Sequence, residues 1–436
     1  TLNFGTVEIL HNNAGTYFNA SGQDIFVNGA ASINSNRNGG SNAANYTIGV
    51  NNGDNTIVTS NGASLRLNAA SFGDDFYLES RLIINDSAAW FQDNTEVWFR
   101  DQLVGGGRLT RTGIWHTYFD NTVPNDNWSG TLDLQAGTVR VLRSETTLGG
   151  VGSSIILNPA AQLSVRTVAN LGTGNGITQL RTTSATSLPV LGIALGTEFT
   201  ALRAHYNGLT ATGTRNGVLA MDAGQSVSVD PDMANFQNGN WFFGGATGSG
   251  TLAANSVAPW GPGGNKFLIG GGSGTITLSP TAGSAQFAGS NQMIIGSALN
   301  VFGYSTVVFN ANGNNTYDGG TLVTVSRNMD GGYRGMALSI QGGRATDTTY
   351  RTPLGSGLVD VFGEVRIEQA NGTARNADNA NANAWVFHPG SRIRFDNDAP
   401  FATAGTEGRW ADNVPIALNT TVLEMFGDGA THPYNT

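Results

Sequence analysis

The densest acidic stretch of the chain, Gly73-Asp74-Asp75-Phe76-Tyr77-Leu78-Glu79, carries the residue types that acid/base work on a glycosidic bond requires, with Asp74 and Glu79 as the pair. One carboxyl would protonate the leaving oxygen while the other activates water or attacks the sugar. The same stretch reads as a solvated turn entering a strand, and nothing matching it stands in the repeats described below, so the turn is the favoured reading. Asp230-Pro231-Asp232 and Asp396-Asn397-Asp398 offer oxygen ligands for a cation such as Ca²⁺. Neither has the Gly and bidentate Glu of a dedicated calcium loop, and plain turns are expected there. His11, His116, His205, His388 and His432 lie far apart and form no His-x-x-x-His pair. The run Ile114-Trp115-His116-Thr117-Tyr118-Phe119 is aromatic enough to stack on a sugar, although rings packed onto the side of the fold are the plainer expectation. No phosphate loop or Gly-x-Ser-x-Gly elbow is present. The chain reads as a non-enzyme with no cofactor and no metal.

The elements that carry these residues follow from composition. The 436 residues include 61 Gly and 46 Asn, while charged residues make up only 12%. Such a chain sustains few exposed helices, and its 39% of hydrophobic residues and 9% of aromatics exceed what disorder allows. Lys266 is the sole lysine, so nearly all positive charge is guanidinium. The net charge of -9, thinly spread, argues against nucleic acid and against anionic membranes as partners. Without cysteine there is no disulfide framework and no thiolate chemistry. No apolar run approaches a membrane span, and a chain opening at Thr1 reads as a mature form whose leader has been removed.

Short alternating segments, among them Thr6-Val7-Glu8-Ile9-Leu10, Ser64-Leu65-Arg66-Leu67, Thr95-Glu96-Val97-Trp98-Phe99 and Thr275-Ile276-Thr277-Leu278, recur between Asn/Gly clusters. They predict strands of four or five residues, and no stretch of ten keeps a helical rhythm uninterrupted. Self-similarity separates a solenoid from a sandwich. Thr131 to Leu163 aligns with Thr1 to Ile33, with Gly152 to Leu163 lying ungapped on Gly22 to Ile33, and a third copy runs from Thr321 to Gly363 around a long insertion. The expectation is a single all-β solenoid over 1–436, with repeat-like segments at 1–33, 105–166 and 312–368 and a less regular middle at 170–250. Leu132, Val139, Val141, Ile156, Leu163, Val359 and Val361 are expected to point inward.

The segments GGGRLTRTG (105–113), NDNWSGTLDLQAGTVRV (125–141), TTLGG (146–150), NNTYDGGTLVTV (314–325) and PLGSGLVDV (353–361) resemble the autotransporter-associated β-strand repeat. The chain departs from that pattern at Trp128, where Tyr is usual, and in the insertion after Val325. The resemblance implies a right-handed parallel β-helix exported to the bacterial surface as a passenger or stalk.

Both termini read as interrupted repeats. The end-to-start junction Pro433-Tyr434-Asn435-Thr436 followed by Thr1-Leu2-Asn3-Phe4 is similar to the internal Asn127-Trp128-Ser129-Gly130-Thr131-Leu132. A solenoid rung left open is a template for strand addition. The expected function is therefore that of a secreted structural subunit, polymerising head to tail into an extracellular filament or fibrous surface layer. Leu2, Phe4, Val7 and Ile9 would meet Val422, Leu423, Met425, Phe426 and Tyr434 of the next copy. The chain itself is then its main partner, with surface glycans as a second class. The alternatives are a monomeric adhesin-like passenger and a polysaccharide-active β-helix enzyme, the latter requiring carboxylates and Arg converging on one face.

Overall fold

The computed structural model describes residues 5–11, 15–17, 24–37, 46–49, 56–59, 64–69, 75–92, 96–113, 115–172, 179–182, 187–208, 210–213, 216–296, 300–301, 305–310, 314–324, 337–341, 344–346, 349–350, 353–368, 384–396 and 415–426. The described residues are all-β, with one short α-helix among them. The strands pair in long parallel ladders, the architecture of a β-solenoid. Two compact units are distinguished: residues 1–185 with 193–214, and residues 186–192 with 215–436.

In the first unit three ladders are built rung by rung. The first ladder joins Gly5–His11, Ala30–Arg37, Ser64–Ala69, Ser87–Gln92, Arg108–Gly113 and the start of Thr131–Val141, then continues into Ser154–Val165. The second joins Gly15–Tyr17, Tyr46–Gly49, Asp75–Glu79, Glu96–Phe99 and His116–Phe119 to the second half of Thr131–Val141. The third joins Asp24–Val27, Thr56–Thr59, Arg81–Ile84 and Leu103–Val104. One turn of chain is 21 to 23 residues in the middle of the unit, as the register Leu65, Ala88, Leu109, Leu132, Ile155 shows.

Period-2 alternation explains why these segments stack. Phe76, Val97, Val139 and Leu163 form one inner column, and Leu78, Phe99, Phe119 and Val141 another, each at 3% exposure or less. The Phe99 and Phe119 rings stack with centroids 5.0 Å apart. Each inward aliphatic or aromatic side chain contributes about 1.5–3 kcal/mol relative to exposure, and the next rung repeats the contact.

The second unit has two long parallel ladders. One runs through Val218–Met221, Phe242–Gly245, Lys266–Ile269, Gln292–Ile295, Thr321–Val323, Val359–Val361, Trp385–Phe387 and Ile416–Leu418. The other runs through Ser226–Val227, Ser249–Leu252, Thr275–Leu278, Thr306–Phe309, Ala337–Ile340, Glu364–Ile367, Arg392–Asp396 and Val422–Phe426. Within the insertion after Val325, Arg344–Thr346 and Thr349–Tyr350 form an antiparallel hairpin.

Of the seven residues expected to point inward, Leu132, Val139, Val141, Leu163, Val359 and Val361 are buried. Ile156 is the exception: it is half-buried, while its neighbours Ile155 and Leu157 fill the core. The internal alignment also crosses faces. Val7 lies in the first ladder opposite Ile33, whereas Val139, its aligned counterpart, lies in the second ladder opposite Leu163. Alternation is alike on every face of a solenoid, so matching it brings strands of different faces into apparent register.

The turn motifs do have a shared physical role. Asn125 accepts from the Leu103 amide at 2.8 Å and donates to the Thr147 carbonyl at 2.6 Å, one rung back and one rung on. Asn315 makes the corresponding pair, with the Phe287 amide at 2.9 Å and the Pro353 carbonyl at 2.7 Å. Trp128 and Tyr317, which follow these asparagines, are both fully buried. The helix Phe199–Gly208, in the first unit, buries Phe199, Leu202 and Tyr206 and was not expected from the sequence.

Candidate functional site

Two arrangements stand out, an uncovered set of inner-column positions in the final described rung and a chemically dense outer face on the first unit. In the second unit Ile416 continues the column of Trp385, Leu418 that of Phe387, and Leu423 that of Ile393. Trp385, Phe387 and Ile393 are at most 1% exposed, whereas Ile416, Leu418 and Leu423 are 39%, 53% and 51% exposed. Val422, 48% exposed, pairs with Arg392, which is itself exposed and so marks an outward column. In the first unit Ile25, in register with the buried Ile57, is only half-buried in the first rung.

Of the interface residues expected from the sequence, Leu423 thus lies in an open inner column and Val422 beside it. Met425 and Phe426 pair with Phe395 and Asp396, and Val7 and Ile9 with Ile33 and Ser35. Leu2, Phe4 and Tyr434 lie outside the described residues. Ile416 and Leu418 escaped sequence reasoning because their strand, Ile-Ala-Leu, is short and sits in a polar stretch.

The outer face of the second ladder in the first unit gathers titratable and aromatic groups. Tyr77, Trp98 and Tyr118 occupy one register position on three successive rungs, all half-buried. Ring centroids are 5.7 Å apart for Tyr77 and Trp98 and 4.3 Å for Trp98 and Tyr118. Asp75 and Glu96 are paired on adjacent rungs beside them, with the Tyr77 hydroxyl donating to Asp75 at 3.0 Å and the Tyr118 hydroxyl to Glu96 at 3.1 Å. On the other side an ion chain climbs the rungs: Glu79 to Arg100 at 3.0 Å, Arg100 to Asp120 at 3.8 Å, and Asp120 to Arg143 at 2.6 Å. The Arg100 guanidinium also lies 3.8 Å above the Tyr77 ring centroid.

Burial dominates the titration of this face. It raises Glu96 above the usual carboxylate range against the opposing pull of the Tyr118 hydrogen bond. It pushes Tyr77 and Tyr118 up to about 12, helped by Asp75 and Glu96 respectively. It pulls His116 down to about 4, with the charges of Arg140 and Arg111 adding to the effect. The imidazole is therefore neutral at physiological pH.

Asp75 and Glu79 sit at opposite ends of one strand, each engaged with a different partner, and Asp74 lies outside the described residues. Asp230 accepts from the amides of Asp232 and Ala258, a turn. Asp396 pairs with Phe426, and Asp398 lies outside the described residues. His388 contacts Asp360 at 2.5 Å and stacks on Phe362, His205 is on the helix, His11 ends the first strand, and His432 lies outside the described residues. Among the described residues no three His, Cys, Asp or Glu gather as a metal-binding group, and no helix is long and apolar enough to cross a membrane. In the run 114–119, Trp115, His116 and Tyr118 are half-buried while Thr117 and Phe119 face the core; Ile114 lies outside the described residues. Sequence reasoning missed the aromatic column, whose one signal is the spacing of Tyr77, Trp98 and Tyr118, 21 and 20 residues apart and close to the length of a rung. No family model matches the chain, and no curated protein or solved structure shows significant similarity to it.

Proposed function

We propose that this protein is a secreted structural subunit that polymerises head to tail, the first rung of one copy adding in parallel to the last described rung of the next. The observation that carries the proposal is the abrupt change in the inner columns between Phe387, fully buried, and Leu418, 53% exposed. A parallel strand laid on Ile416–Leu418 and Val422–Phe426 would pair their outer backbone groups and cover Ile416, Leu418 and Leu423. The contact is heterologous, and repetition along one axis gives an open filament. The extracellular setting rests on the repeat resemblance.

Amide hydrogen exchange at rising protein concentration tests the reading. Protection of 5–11 and 416–426 should increase with concentration while that of inner rungs such as Glu96–Phe99 stays constant. Protection of the terminal rungs that is independent of concentration would favour a monomeric passenger instead.

A further inference from the structure

A cleft on the second unit is lined by residues that neither the solenoid core nor the open rung uses. In the ladder that forms it, Phe243 pairs with Ile269, and Leu268 with Ile294. Phe243, Phe267, Ile269, Met293 and Ile295 point into the core at 0% exposure. Phe242, Leu268 and Ile294 alternate with them and so lie on the outer side, where a ladder facing water carries polar side chains. Here three successive rungs instead present an apolar floor. Leu188, from the short parallel pair Ser187–Leu188 with Asn300–Val301, extends it, and the whole borders a cavity of about 290 Å³.

The polar lining of the cavity is Asn216, Asn240 and Lys266, all half-buried. Among the described residues no hydrogen bond or ion pair engages any of these three side chains. Lys266 is the sole lysine of the chain. Arg100, Arg108, Arg143, Arg366 and Arg392 each face a carboxylate, whereas the described lining around Lys266 contains none.

We propose that this cleft binds a small organic monocarboxylate, its apolar body lying on Phe242, Leu268 and Ile294 and its carboxylate held by the Lys266 ammonium and the Asn216 and Asn240 carboxamides. Volume limits the body. At about 290 Å³ the cavity lies at the lower edge of ligand pockets, room for one ring or a short alkyl chain. Charge selects the head group. One cation neutralises a monoanion, while the second charge of a dianion would be left unpaired beside an apolar floor. A cationic ligand would meet the like charge of Lys266, and a neutral one would bring the ammonium no counter-ion. The ammonium is a compact charge with three rotatable donors, so it can reach a carboxylate without the planar alignment a guanidinium needs.

The test is titration calorimetry of the full chain with benzoate, 4-phenylbutyrate, hexanoate and octanoate, each beside the alcohol of the same skeleton, with sulfate and phthalate as dianions. At least one monocarboxylate should bind saturably, and about tenfold or more tightly than its alcohol or either dianion, the scale of one charge-assisted contact. Lys266→Gln should weaken that acid about tenfold and bring acid and alcohol to similar affinity, while Ile294→Asn should weaken both alike. Because the chain has a single lysine, reductive methylation with isotope-labelled formaldehyde marks Lys266 and the α-amino group alone. The Lys266 methyl resonance should move when the acid is added and stay in place with the alcohol. No saturable binding by any of the four acids, an alcohol or dianion that binds as tightly as the acid, or a folded Lys266→Gln protein that binds the acid like wild type would overturn the proposal. If Lys266→Gln does not fold, the acid and alcohol affinities of the wild-type protein and its Lys266 resonance decide, and a resonance unmoved at saturation is the overturning result.

Discussion

The guanidinium of Arg111 occupies the space that any side chain at position 137 would need. Gly137 sits at φ +73°, and a Cβ built there would collide with the Arg111 head group. Arg111 is fully buried, and its guanidinium donates to the carbonyls of Thr112, Gly113, Trp115 and Ala136. It therefore ties the corner between the first and second ladders, gathering carbonyls that the turn leaves without strand partners. Burial lowers its pKa to about 9, so it remains a cation at neutral pH.

Gly137→Ala should destabilise the first unit by about 2–4 kcal/mol, from the left-handed backbone and the displaced guanidinium together. Arg111→Met should cost a similar amount by stranding carbonyls. The double variant should be less destabilised than the sum, because the clash vanishes with the guanidinium. Denaturant unfolding of the four proteins measures this, and strict additivity would show that the two residues do not interact.

Asn170 is fully buried and joins two stretches of chain. Its Oδ1 accepts from the Arg166 and Thr167 amides at 2.9 Å each, and its Nδ2 donates to the carbonyls of Arg143, Ser144 and Thr146 at 2.8, 3.3 and 2.6 Å. Asn170→Asp keeps the acceptor but turns the donor into a negative oxygen facing three carbonyls. It should be at least as damaging as Asn170→Ala, with both losing on the order of 2–4 kcal/mol in thermal or denaturant unfolding. An Asp variant of wild-type stability would show that the acceptor half alone matters.

His116 makes stability depend on pH. Its pKa falls from about 6.5 in the unfolded chain to about 4 in the fold, so the unfolded state takes up the proton first as pH drops. The contribution is fully present above pH 6.5 and is lost between there and pH 4, up to about 3 kcal/mol. His116→Gln should flatten the unfolding midpoint over that window relative to wild type. Parallel pH profiles for the two proteins would contradict the burial of a neutral imidazole.

Much of the fold could be read from the chain because period-2 alternation and Gly/Asn turns are local signals. Leu132, Val139 and Val359 show it. Which face a strand joins is not local: Val7 and Val139 have alike neighbours but belong to different ladders. The expected parity of Ile156 is wrong: in Ser154-Ile155-Ile156-Leu157-Asn158 it alternates with Ser154 and Asn158, while Ile155 and Leu157 form the apolar set that stacks on Leu132 and Leu134 and turns inward. The helix Phe199–Gly208 escaped because only Phe199, Leu202 and Tyr206 mark its face, among Thr200, Asn207 and Gly208 that disfavour helix. The outer-face network was invisible residue by residue. Asp75 and Glu96 are separated by a full rung, and only stacking brings them side by side.

The most direct measurement is electron microscopy of the purified protein over a range of concentrations, beside a Leu418→Asp variant. A buried carboxylate in the junction would cost several kcal/mol and leave the isolated subunit folded, because Leu418 is already half in water there. Wild-type protein should form unbranched filaments that lengthen with concentration, and Leu418→Asp should remain as single particles with an unchanged unfolding profile. Wild-type protein that stays as single particles at every concentration, or filaments formed equally well by Leu418→Asp, would contradict assembly through the open rung.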